Sequence, residues 1–193
     1  MSTALSRYQA TYVAKKALFS FLGSAFRLYD SSGQLAFYVK QKAFKLKEEI
    51  TVYADEGEKE AMLSIKARSM VDFSATYDVT DSHSGELVGS MRREGVKSML
   101  RDEWTLLDSG GHEIGKVKED SGIMALIRRF FLKIIPQTFR VTVGDAEVGT
   151  IAQKFNPFQL GYDVDFARAD GQLDPRLSVA TVVLLLAIEG RQG

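Results

Sequence analysis

Short runs in which every second residue is apolar recur along this chain. They are clearest in Phe37-Tyr-Val39, Ile50-Thr-Val-Tyr53, Leu63-Ser-Ile65, Phe73-Ser-Ala-Thr-Tyr77 and Phe139-Arg-Val-Thr-Val143. A period of two puts one face of a strand on a core and the other in water. Phe44 to Tyr53 reads as one long strand with Lys45 and Lys47 on its outer face, and Trp104-Thr-Leu106 and Glu113 to Val117 flank a turn. Between the runs stand six turn signals: Asp30-Ser-Ser-Gly33, Asp55-Glu-Gly57, Asp81 to Gly85, Asp108-Ser-Gly-Gly111, Gly144-Asp145 and Asp170-Gly171. Asp bonds nearby backbone and Gly accepts positive φ without steric cost, so both punctuate tight turns. The steps between the Asp positions are 25, 26, 27, 37 and 25 residues. That rhythm predicts six hairpins, hence about twelve strands, with an extra piece in the long step.

Two segments depart from the alternation. Ser121 to Ile135, stopped by Pro136, fills the long step and suits an additional helix near 121–135. Leu177 to Ile188 is apolar on every side. Asp174 suits its N-cap, Pro175 the first helical position and Gly190 the position past its end. A helix without a polar face must be buried all round, with Val179, Val182, Val183 and Leu186 among its core residues. Its twelve or so apolar residues fall short of the roughly 20 that span a bilayer. A closed β-barrel wrapped around this helix leaves no sheet edge exposed and buries the helix fully. The expected fold is therefore mainly β: about twelve strands in a barrel of hairpins around a C-terminal helix. No linker, low-complexity tract or composition break divides residues 1–193, which predicts a single domain.

Bulk composition narrows the function classes. The chain has 193 residues, 45% of them hydrophobic, so it can bury a large core. Lys and Arg balance Asp and Glu at 25 each, which argues against a dedicated nucleic-acid binder. The chain has no cysteine, which removes disulfides, thiolate catalysis and Cys-based zinc sites. Neither Met1–Ala10 nor Ala17–Phe26 reads as a secretory signal, so a cytoplasmic protein, peripheral to a membrane at most, is expected. The charge is unevenly spread. Residues 1–47 hold eight basic side chains against Asp30 alone, residues 48–60 are acidic, and residues 121–144 carry Arg128, Arg129, Lys133 and Arg140 with no acid.

The order of several short motifs resembles the LURP-one-related group of the tubby C-terminal-like fold, which is shared with phospholipid scramblases. The residues that carry the resemblance are Arg7-Tyr8, Phe26 to Asp30, Lys42 to Leu46, Trp104 to Asp108, Ile114-Gly-Lys116, Val148 to Ile151, Tyr162-Asp-Val164 and Asp174 to Ala180. The resemblance covers essentially the whole chain. It implies a barrel closed around a hydrophobic C-terminal helix. It also implies two functional leads, the phosphoinositide binding of tubby domains and the lipid and calcium links of scramblases. Fold alone carries neither.

Candidate chemistry is sparse. The only histidines, His83 and His112, lie in predicted turns. No nucleophile elbow, Walker loop or Rossmann glycine pattern is present. Glu48-Glu49, Asp102-Glu103 and Glu119-Asp120 are sequence neighbours, which on a strand point to opposite faces and make poor acid–base couples. No catalytic site, metal site or cofactor is expected. Asp163 and Asp165 can share a strand face, but a calcium loop begun at Asp163 meets Ala167 and Arg168 where a ligand and a glycine are required.

What remains is contact with anionic lipid, phosphoinositide or a membrane surface. Arg128, Arg129 and Lys133 stand among Phe130, Phe131, Leu132, Ile134 and Ile135, a basic and aromatic mixture that suits an anionic bilayer surface. An amphipathic plug at one barrel end would show the same spacing. Lys40, Lys42, Lys45 and Lys47 can cradle lipid phosphates or guard strand surfaces against aggregation. Arg92-Arg93, Lys97 and Arg101 are open to both readings as well. The leading expectation is a non-enzymatic lipid-binding module. A soluble scaffold for a protein partner is the alternative, and lipid scrambling a weaker one.

Overall fold

A computed structural model of the chain describes residues 7–17, 24–41, 49–68, 75–94, 103–120, 136–154, 156 and 159–188. Twelve strands precede one helix. They are β1 (Thr11–Ala17), β2 (Ser24–Tyr29), β3 (Leu35–Gln41), β4 (Glu49–Tyr53), β5 (Ala61–Ala67) and β6 (Thr76–Asp81). There follow β7 (Leu87–Arg93), β8 (Glu103–Asp108), β9 (Glu113–Glu119), β10 (Thr138–Val143), β11 (Ala146–Lys154) and β12 (Gln159–Asp165), then α1 (Pro175–Ile188). Each strand pairs antiparallel with its sequence neighbours, and β12 returns to β1 to close the barrel. The fold expected from the alternation is the fold observed.

The alternation sets the inside. Phe26, Leu28, Phe37, Val39, Val52, Leu63, Ile65, Val79, Trp104, Leu106, Val117, Val141 and Ile151 are completely buried, while Lys66, Lys118, Arg140 and Asp163 on outward positions are exposed. Apolar side chains point in and charged ones out, the reverse of a membrane-spanning barrel with an aqueous lumen. Helix α1 fills the interior, with every residue from Leu177 to Ala187 buried. Asp174 caps it as expected. Its Oδ1 accepts from the Arg176 N–H at 2.8 Å, and its carbonyl accepts from the Ser178 N–H at 3.0 Å. The buried Thr181 hydroxyl donates to the Leu177 carbonyl at 2.8 Å, so the helix carries its polar group inward already satisfied.

The Asp turns form for the reason given by their chemistry. Asp30 Oδ1 accepts from the Ser32 and Gln34 N–H groups, Asp81 Oδ1 from those of His83 and Ser84, and Asp108 Oδ1 from that of His112. Gly33 takes φ +79°, which a side chain would resist. Two details differ from expectation. At Asp55-Glu-Gly57 it is Glu58, not the glycine, that adopts positive φ, at 57°. The sixth turn signal, Asp170-Gly171, is no hairpin; it lies in the loop that leads from β12 into α1. Twelve strands result all the same, because the 25–27-residue rhythm marks every second connection and β1 supplies the strand that the sixth hairpin would have given. The helix expected near 121–135 and the extensions at 44–48 and 73–74 lie outside the described residues.

Hydrogen-bonded pairing is uneven around the barrel. Among the described residues, eleven seams between neighbouring strands each hold four to seven paired positions, while β3 and β4 pair at Tyr38 and Tyr53 alone. Arg7 compensates at one end of this seam, its Nη1 donating to the Ala36 carbonyl at 3.2 Å and the Ala54 carbonyl at 3.1 Å.

Candidate functional site

An up-and-down barrel sends alternate connections to opposite rims. One rim receives the tight turns 30–34, 54–60, 82–86, 109–112 and 144–145 and the loop 166–174. The other six connections, 18–23, 42–48, 68–75, 94–102, 120–137 and 155–158, leave from and return to strand ends at the opposite rim, the connection rim. The sequences delivered to the two rims differ in kind. The first set holds nine Asp or Glu against Lys59 and Arg168, a net charge of −7. The second holds nine Lys or Arg against Glu48, Asp72, Glu94, Asp102 and Asp120, a net charge of +4, and eight of the twelve phenylalanines of the chain. The zero total thus conceals an uneven sequence: the tight-turn connections are acidic, and the connections between the opposite strand ends are basic and rich in phenylalanine.

The basic candidates are far apart in the chain but fall in connections whose flanking strand ends share one rim. Arg128, Arg129 and Lys133 lie outside the described residues, as do Lys42, Lys45 and Lys47, but both segments leave from and return to strand ends at the connection rim. Lys40 is described and exposed. Its Nζ contacts Glu58 Oε1 at 2.6 Å, on the flank of β3. Near the connection rim three charged side chains face inward: Lys16, Arg93 and the buried Glu119. Lys16 Nζ lies 4.8 Å from the centroid of the Phe26 ring, and the Arg93 guanidinium 5.9 Å from that of Trp104. Charged groups at inward positions contrast with the apolar core beneath them. The sequence signal for Lys16 is its place on an alternating strand, Tyr12, Ala14, Lys16.

The turn rim is built for rigidity. Arg176, on the first turn of α1, donates to Asp174 Oδ2 at 2.8 Å, Glu86 Oε2 at 3.0 Å and Asp81 Oδ2 at 3.2 Å. Those three carboxylates hold its guanidinium protonated beyond any ordinary pH. Burial alone would raise the Asp81 pKa, but the Ser84 and His83 N–H groups and Arg176 outweigh it and hold the carboxyl below its ordinary value. Burial likewise pushes the Tyr12 phenol up to about 12. His83 and His112 sit in separate turns, beside Glu60 at 3.4 Å and Asp108 at 3.2 Å. Asp163 is tied to Lys154 at 2.7 Å, and Asp165 accepts from the Ala167 N–H at 2.8 Å. Among the described residues no three His, Asp or Glu side chains gather as a metal site.

The Arg176 network sets an acid limit on stability. A carboxyl whose folded pKa lies below its unfolded value of about 3.9 stabilises the fold above that pH and loses its contribution as the pH falls through the folded value. Arg176→Met is expected to cost about 2 kcal/mol at pH 7, since it leaves the largely buried Asp81 carboxylate without its cation. The gap between the two proteins should narrow as the pH falls below about 3.9 and through the lowered folded value of Asp81. Urea midpoints measured from pH 7 to pH 2 check this; a gap independent of pH would assign the loss to packing instead.

No curated protein and no solved structure matches the chain. A family model described as LURP-one-related matches residues 35–186, from the first residue of β3 into the last turn of α1. The chain belongs to the LURP-one-related family.

Proposed function

We propose that this domain is a non-enzymatic module that docks on anionic membrane surfaces, phosphoinositide-bearing ones included, through its connection rim. The observation that supports this reading is the segregation of charge and phenylalanine between the two sets of connections. A body with a basic, phenylalanine-rich end and an acidic opposite end orients in the field of an anionic bilayer, basic end first. Phe130 and Phe131 beside Arg128, Arg129 and Lys133 supply the pairing of apolar insertion and phosphate attraction that holds a peripheral protein at the interface. No helix among the described residues is long and apolar enough to cross a membrane. Contact through one end is the mode these features suit.

Sedimentation with vesicles tests the reading. The protein is expected to pellet with phosphatidylcholine–phosphatidylserine vesicles and not with phosphatidylcholine alone. Binding should fade as ionic strength rises past about 0.15 M, where charges are screened beyond roughly 8 Å. Each basic residue near such a surface contributes about 1 kcal/mol, so reversing Arg128, Arg129 and Lys133 to Glu should weaken binding by a factor on the order of 100 or more. Protein left in the supernatant at low salt would sink the membrane reading and favour a soluble scaffold for a protein partner.

A further inference from the structure

The thin β3–β4 seam coincides with an arrangement of opposite charges on the barrel's outer flank. Across β1, β2, β3 and β4 the outward positions Lys15, Arg27, Tyr38 and Tyr53 lie in register, and Lys40 follows Tyr38 on the same face of β3. The Arg27 guanidinium lies 5.5 Å from the Tyr38 ring centroid, and Lys15 Nζ lies 4.9 Å from that of Tyr29. Two carboxylates reach this face from the turn between β4 and β5. Glu56 takes Arg27 in a two-pronged bond, 2.7 Å from Nε to Oε1 and 3.2 Å from Nη2 to Oε2. Glu58, the one non-glycine described residue with positive φ, takes Lys40 at 2.6 Å. Both bridges span the seam where, among the described residues, backbone pairing is reduced to one position.

A guanidinium holding two oxygens of one group, an ammonium beside it and aromatic rings beneath make the geometry that recognises phosphate. We propose that this flank is a phosphate-recognising site, that Glu56 and Glu58 occupy it in the free protein as internal stand-ins, and that a phosphate-bearing polyanion displaces them and frees the β4–β5 turn from the seam. Binding at the flank is thereby coupled to the step with the fewest paired positions among the described residues. Exposed ion pairs are weak, so the carboxylates compete without locking the site. The site is separate from the connection rim and does not rest on the membrane reading.

The test compares the wild type, E56Q/E58Q and R27Q/K40Q, using tripolyphosphate in calorimetry and phosphatidylcholine–phosphatidic acid vesicles in sedimentation. All four substituted side chains are at the surface, and thermal melts confirm that each variant folds. E56Q/E58Q is expected to bind roughly three- to tenfold tighter than wild type, because it lacks the competing charges. R27Q/K40Q should not bind. Amide exchange over residues 49–60 should quicken on binding in the wild type and be fast already in unliganded E56Q/E58Q. The effect on tripolyphosphate assigns a free phosphate ligand, and on vesicles alone a lipid headgroup. Equal binding by all three proteins to both probes, or binding that leaves exchange at 49–60 unchanged, overturns the proposal. The R128E/R129E/K133E variant keeps the tripolyphosphate response, so the two readings fail separately.

Discussion

Val183→Asp is expected to yield no folded protein. Val183 is fully buried in the middle of α1, one of eleven consecutive buried helix residues from Leu177 to Ala187. Seven of the eleven are Leu or Val, each worth about 1.5–3 kcal/mol when buried, so the helix supplies some 10–20 kcal/mol of gross stabilisation. That is the size of a whole domain's net stability. A carboxyl at 183 is taken out of water into a largely apolar core, at a cost of several kcal/mol whether it stays charged or takes up a proton. Val183→Thr is the control. Thr181 already shows how a hydroxyl is carried inside this helix, by bonding the carbonyl four residues back. The threonine variant should therefore fold and lose about 1–2 kcal/mol. Soluble yield, size-exclusion profile and the far-ultraviolet melt separate the two. A Val183→Asp protein that melts within a few degrees of wild type would show that the helix is not the core of the barrel.

The fold is legible in the sequence because its signals are local. Asp side chains close the turns on their own neighbouring amides, and the caps of α1 lie within two residues of its start. The hairpin expected at Asp170-Gly171 does not form because a turn signal specifies a turn but not the element beyond it. Gly171 has the positive φ that the signal promises, yet the chain runs on to Asp174 and a helix. The candidate site is legible residue by residue but not as a place. Lys42, Lys45, Lys47 and Arg128, Arg129, Lys133 are about 80–90 positions apart in the chain. Only the strict up-and-down order, in which both segments follow an odd-numbered strand, puts the strand ends that flank them at one rim. The ion pairs that stitch β3 to β4 are hidden for a similar reason. Nothing in Glu56 or Glu58 names Arg27 or Lys40 as partner, since the distance that decides it is set by register across three strands.

Gly115→Ala is expected to be the costliest single-methyl change in the barrel. Gly115 is buried on β9, paired with Leu106 of β8 on one side and Val143 of β10 on the other. A Cβ there would stand 2.1 Å from the Thr142 carbonyl oxygen and 3.1 Å from its carbon. The obstacle is backbone, so no rotamer change relieves it; β9 and β10 must move apart or twist, at the expense of hydrogen bonds between them. Overpacking of this kind costs about 3 kcal/mol, which for a chain of this size lowers the melting temperature by roughly 6–12 °C. Gly33→Ala separates this cause from backbone strain. Gly33 has open space around its missing Cβ but a φ of +79°, so alanine there meets strain without a clash and should cost only about 1–2 kcal/mol. A thermal melt of both variants ranks the two mechanisms. Should Gly115→Ala lose no more than Gly33→Ala, the β9–β10 pair gives way cheaply. The close approach of those strands would then be a consequence of the glycine and not a requirement of the barrel.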